Sequence, residues 1–143
     1  MTAARDSLID AARECSRQAH APYSGFHVGA AIRAASGSTY AGCNVENAAY
    51  PLGNCAETSA IAAGVRAEGP EFRIAETAVW ATDASGAVLA VSPCGGCRQR
   101  IRELAVDGRV PVHFSWEGGV VRTATLEELL PYAFFLPATR PGT

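Results

Sequence analysis

The chain carries no basic excess. Twelve basic against 14 acidic residues leave a formal net charge of −2 and a pI near 5.9. A polynucleotide binder needs positive charge to neutralise phosphates, so that class of substrate is disfavoured. No apolar run approaches the roughly 20 residues that a membrane-spanning helix requires. The opening stretch MTAARDSLIDAARECSRQAH lacks the apolar block of a secretory signal, and its Asp6, Asp10 and Glu14 argue against a transit peptide. The expected location is therefore cytoplasmic, where thiols stay reduced. Cysteine is sparse and odd in number: Cys15, Cys43, Cys55, Cys94 and Cys97 make no closed disulfide set. No second Cys-x-x-Cys accompanies the one at 94–97, so a four-cysteine structural metal site lacks its other half. Internal repeats, linkers and low-complexity tracts are missing as well.

What is present suits one folded domain over residues 1–143, with PATRPGT at 137–143 as a mobile tail. At 143 residues and 48% apolar content, the chain can bury a core without staples. Leu8, Ala12, Cys15 and Ala19 fall on one helical face, and Pro22 ends that helix. Residues 26–35 and 39–45 read as a hairpin around the Ser-Gly-Ser turn at 36–38. A second helix is expected over about 55–68, with Ile61, Ala62 and Val65 as its inner face. A strand at 73–82 and an Asp-Ala-Ser-Gly turn precede a third helix, on which Cys97, Ile101 and Leu104 share a face. Strands at 110–116 and 119–126 flank Glu117-Gly118-Gly119, and a short helix spans 126–134. Strands alternating with helices imply an α/β fold built as a layered sandwich.

The chemistry sits in two stretches, NCAETSA at 54–60 and PCGGC at 93–97. Cys94 and Cys97, three apart at a helix start, lie on one side of the first turn. Alone they read as a thioredoxin-like redox pair or as metal ligands. Cys55, at another expected helix start, offers the third ligand that a catalytic zinc needs beside one open position. Glu57 follows two places on. Side chains near a helix N-terminus lean back toward it, so Cys55 and Glu57 can approach one point beyond the helix. Two helix N-termini would also stabilise the thiolates through partial positive charge and free N–H donors. This is the arrangement already described for hydrolytic zinc deaminases.

The stretches APYSGFHVGAAI, GCNVENAAYPLGNCAE, PCGGCRQRIRE and EELLPYAF run in order from residue 21 to 134. In them the chain resembles the short, typically homotetrameric, zinc-dependent cytidine deaminases. The resemblance implies a three-layer α/β/α sandwich with a mixed five-stranded sheet. It also implies one Zn2+ per chain on Cys55, Cys94 and Cys97. The implied reaction converts cytidine and deoxycytidine to uridine and deoxyuridine plus ammonia, as in pyrimidine salvage. Water activated by the metal would attack C4, with Glu57 shuttling protons. By the same resemblance Asn44 and Glu46 hold the ribose, Phe26 lines the nucleoside pocket and the Ala56 backbone reads the base edge. Tyr50 acts at a subunit junction, and Phe134 stacks on the pyrimidine of a neighbouring subunit, so active sites are shared across the homotetramer. No nucleic acid or membrane partner is implied.

Other readings compete at single residues. On its own Phe26 reads as core, Phe134 and Phe135 as helix packing, and Asn44 and Asn47 as turn formers. Cys15 and Cys43 read as small buried hydrophobes, and His20, His27 and His113 as structural or surface residues. One departure stands out. Family members usually carry an arginine directly after the glutamate, where it can donate to the thiolates, and this chain has Thr58. Three thiolates on a divalent ion leave one net negative charge. The candidate compensation is a guanidinium from the third helix, Arg98 or Arg100; the alternative is that helix amides and the Thr58 hydroxyl suffice. Rival functions are deamination of a modified cytosine nucleoside such as blasticidin S, a thiol redox module using Cys94 and Cys97, and a non-catalytic zinc-stabilised oligomer.

Overall fold

The computed structural model describes residues 2–137, so all of the expected mobile tail except Pro137 lies outside the described residues. In chain order the elements are α1 (Thr2–Ser16), β1 (His27–Ala34), β2 (Thr39–Cys43), α2 (Ala56–Glu68), β3 (Ile74–Thr82), α3 (Gly95–Leu104), β4 (Pro111–Ser115), β5 (Val121–Thr125) and α4 (Leu126–Leu129). Short 3-10 turns at Tyr50–Leu52, Gly69–Glu71 and Glu117–Gly119 join some of them.

The five strands form one mixed sheet in the order β2-β1-β3-β4-β5. Only β3 and β4 pair in parallel, and a parallel pair needs a crossover, which α3 supplies. α1 covers one face, burying Leu8, Ile9 and Ala12 against Ala31, Ala78 and Trp80. α2, α3 and α4 cover the other, where Ala60, Ile101 and Leu126 pack with Ile32, Phe72, Ile74 and Val112. The α/β/α layering and the mixed five-stranded sheet are those expected from the sequence. Among the described residues, no helix is long and apolar enough to cross a membrane.

Two contacts hold the helices unusually close to the sheet. A Cβ on Gly29 would lie 1.9 Å from the Ala12 carbonyl oxygen of α1, and one on Gly42 would lie 2.4 Å from the Ala60 nitrogen of α2. Only glycine leaves room for backbone at that distance.

Three details differ from the sequence reading. α1 stops at Ser16, short of Ala19. Residues beyond it are drawn into bridge pairing, where His20 N–H donates to the Asn44 carbonyl at 3.1 Å and Glu46 N–H to the His20 carbonyl at 2.8 Å. The buried face of α2 is Ala56, Ala60 and Gly64, with Ile61 packed at its margin as expected, whereas Ala62 and Val65 are exposed. Small residues win there because the helix lies so near the sheet, and Gly64 faces the Phe72 ring with no room for a side chain. α4 covers only Leu126–Leu129, capped by Thr125 and Glu128. Pro131 follows at once, and proline cannot continue a helix.

Candidate active site

β2 and β3 both run antiparallel to β1, which lies between them, so they point the same way. Each is followed by a loop and then a helix on the same face of the sheet. The N-termini of α2 and α3 therefore open at one edge. Cys55 is the N-cap residue of α2 and Cys94 that of α3, both in extended conformation. Cys97 lies in the first turn of α3 and is buried, while Cys55 and Cys94 are exposed. All three sulfurs lie within 4.8 Å of one another.

That donor set fits zinc. Sulfurs this close suit one shared ion with bonds of about 2.3 Å, and three protein ligands leave a tetrahedral ion one position for water. The free N–H groups of two helix starts favour anionic sulfur. The Cys55 thiol is pushed down to about 6; its largest cause is a hydrogen bond from the Cys97 thiol, which outweighs burial and the Glu57 charge. Cys97 is correspondingly pushed up by that same bond and by burial. Within the cluster it is thus Cys55 whose thiolate form is favoured.

Glu57 is 4% exposed in the first turn of α2. Burial pushes its carboxyl upward, only partly offset by its own backbone N–H, the Cys97 thiol and the Arg100 charge. A carboxyl held this way can carry a proton near neutral pH.

A cleft of about 390 Å³ opens over these residues, and Phe26, Asn44, Glu46, Tyr50, Ala56 and Glu57 are among its walls. Asn44 is buried and braces the wall. Its carbonyl oxygen accepts from Val28 N–H at 2.8 Å, and its amide donates to the Phe26 carbonyl at 2.9 Å. Glu46 accepts from the Tyr23 and Ser24 N–H groups at 3.0 and 3.1 Å and from the Ser24 hydroxyl. These bonds, led by the Ser24 hydroxyl, hold its carboxyl below the usual range. Phe26 is 51% exposed, so the core reading of that residue does not hold. Tyr50 is 75% exposed and packs edge-on to Tyr23 at 5.8 Å between ring centroids.

Phe134 is not among the cleft residues. It is 67% exposed, and its backbone is gripped by Gln99, which donates to the Phe134 carbonyl at 2.8 Å and accepts from its N–H at 3.2 Å. Sequence reasoning missed both Gln99 and Ser24. Neither stands at a diagnostic spacing, and each acts on a residue far away in the chain. His113 is buried among Glu76 and Thr123, on the α1 side of the sheet and away from the cleft.

The two arginines separate. Arg98 is committed to the Pro93 carbonyl at 2.7 Å, the Leu129 carbonyl at 2.7 Å and the Ser92 hydroxyl at 2.9 Å. It ties the α3 N-terminus to α4 rather than serving sulfur. Arg100 folds back over the first turn of α3, where its Nη1 lies 3.0 Å from where a Gly96 Cβ would stand. From there its charge lowers both Cys55 and Glu57.

Thiolate donors at two helix starts, with a buried carboxyl beside them under a nucleoside-sized cleft, define a zinc hydrolase of the deaminase class. Comparison with known proteins narrows the class. The family model described as "Cytidine and deoxycytidylate deaminase zinc-binding region" matches residues 3–113. A cytidine deaminase of Sporosarcina psychrophila is 40% identical over 129 residues, covering 90% of each chain. A crystal structure of cytidine deaminase from Burkholderia pseudomallei superposes with a TM-score of 0.77 at 39% identity, covering 90% of this chain and 98% of that one. The blasticidin-S deaminase of Bacillus cereus is more distant, 33% identical over 110 residues and 76% of each chain. The chain belongs to the cytidine and deoxycytidylate deaminase family.

Proposed function

We infer that this protein hydrolyses cytidine and deoxycytidine to uridine and deoxyuridine plus ammonia, in pyrimidine salvage in the cytoplasm. One observation carries the reading: a three-cysteine cluster within 4.8 Å, with the buried Glu57 beside it on the cleft wall. Zinc held by Cys55, Cys94 and Cys97 would supply a Lewis acid that makes water nucleophilic near neutral pH. Glu57 takes the proton of that water and delivers it to N3 of the ring. It then takes the proton of the hydroxyl now on C4 and passes it to the amine, which leaves as ammonia as the C4 carbonyl forms. Asn44 and Glu46 orient the ribose, the N-terminal backbone at Ala56 addresses the base edge, and Phe26 closes the pocket over the nucleoside.

The assembly is a homotetramer with shared active sites. The exposed Tyr50, Leu52 and Phe134 support this, as do Ala62 and Val65 on the outer face of α2. Phe134 is exposed and lies outside the cleft walls, and Gln99 anchors its backbone at the surface, which suits a ring offered to a neighbouring chain.

The direct test follows absorbance with cytidine, deoxycytidine, cytosine and blasticidin S side by side, using zinc-loaded protein. Turnover of both cytosine nucleosides supports the reading; turnover of blasticidin S alone would replace it. In Glu46→Gln, the loss of a charged acceptor is expected to lower kcat/KM for cytidine by about 10–100-fold, mainly through KM.

Arg100 takes over, from α3, the role of the arginine that Thr58 displaces. Removing a positive charge favours protonated forms, so Arg100→Gln should shift the acid limb of the kcat–pH profile to higher pH. The loss in kcat should be about tenfold or less, because the side chain is exposed and screened. An unmoved pH profile would assign the charge balance to the helix amides.

A further inference from the structure

Cys15 and Cys43 have no part in the chemistry above. Gly29 of β1 is paired directly with Cys43 of β2, and directly opposed residues in a ladder project to the same face. The missing Cβ of Gly29 would point at Ala12 O and Ser16 N in the last turns of α1. Cys43 therefore also projects toward α1, on the opposite face of the sheet from α2 and α3. Cys15 lies in that same stretch of α1, between Ala12 and Ser16. The two thiols interact: burial raises the Cys15 thiol first, and its contact with Cys43 raises it further. Both are free and half-buried, and β2 is an edge strand, so a small oxidant has a way in.

We propose that Cys15 and Cys43 are a reversible disulfide site, through which a hydroperoxide covalently locks α1 to the edge strand β2. In the first step one thiol sulfur attacks the O–O bond and becomes a sulfenic acid, releasing water. In the second the other thiol displaces the sulfenic oxygen as water and the S–S bond forms. The two cysteines together lose two electrons and two protons, and hydrogen peroxide is reduced to two waters. A thiol held protonated is a slow nucleophile. The pair therefore stays reduced until oxidant is present, while zinc occupies the other three cysteines.

The test exposes zinc-loaded protein to hydrogen peroxide, blocks remaining thiols by alkylation and digests without reductant. Trypsin plus a glutamyl endopeptidase separates Cys43 from Cys55 by cutting after Glu46. The expected product is a Cys15–Cys43 cross-linked peptide two hydrogens lighter than its parts, with zinc still at one equivalent. Tm should rise by about 5–15 °C, because the bond closes a long loop in the unfolded chain, and dithiothreitol should reverse the rise. Cys15→Ser and Cys43→Ser should each abolish link and shift while keeping zinc and the reduced-state Tm. The proposal is overturned if the zinc ligands oxidise while Cys15 and Cys43 are still recovered as alkylated thiols. It is equally overturned if either serine variant keeps the Tm rise.

Discussion

Glu57→Gln is expected to keep one zinc per chain and lose turnover by three orders of magnitude or more. The amide matches the carboxylate in shape but cannot accept a proton. A single positioned acid–base group contributes about 10²–10⁴-fold, and Glu57 is asked for two transfers, at N3 and at the departing amine. The variant should not pay for this in stability. Glu57 is buried with its carboxyl raised by burial, and no ion pair to it is found among the described residues. A neutral amide removes that desolvation penalty, so Tm should hold or rise. The measurement is ammonia release alongside zinc analysis of the same sample. Release at the wild-type rate would sink the assignment of Glu57. Loss of zinc together with activity would mean that Glu57 acts as a ligand instead.

Cys97→Ala is expected to abolish both zinc retention and turnover. Cys97 is the buried member of the cluster and the partner through which Cys55 is pushed down to about 6. Its removal deletes one of three ligands and also returns the Cys55 thiol toward its ordinary range. Protons then compete with metal more strongly at the sulfurs that remain. After dialysis against a weak chelator, zinc should fall from about one equivalent per chain to a small fraction. Tm should become insensitive to added zinc, because a ligand stabilises only the state that binds it. A full equivalent surviving that dialysis would show that the other residues suffice.

Much of this site was legible before any coordinates. Apolar residues recur at helical spacing through AETSAIAAGVRAE and GGCRQRIREL, and Cys55 and Cys94 stand where those helices begin. Periodicity, rather than propensity, marks them, since α3 opens on two glycines. Distant partners were not legible. The Asn44 amide is held by Val28 and Phe26, Glu46 by Tyr23 and Ser24, and the Phe134 backbone by Gln99. Each bond joins residues widely separated in the chain, so no spacing rule announces it. The inner face of α2 was misread for a related reason. Ile61 does pack against the core, but the close approach of helix to sheet at Gly42 gives the buried stripe to Ala56, Ala60 and Gly64 and leaves Ala62 and Val65 outside. The arginines were not separable either: Arg98 reaches the Leu129 carbonyl 31 residues on, whereas Arg100 lies over Gly96 and acts on Cys55 and Glu57 through its charge.

By itself, the sequence determined the kind of chemistry: three thiols, one acid and the helix starts that present them. Local pattern suffices for that, because helical spacing shows within a turn or two of the chain. Only the tertiary structure decided that the parts meet. Cys55 joins Cys94 and Cys97 because β2 and β3 run in the same direction with β1 between them, which brings two helix N-termini to one edge. Cys15 comes beside Cys43 because Gly29 lets α1 settle on the sheet. Both encounters depend on long-range strand pairing, whose energy comes from the whole core rather than from any segment of the chain.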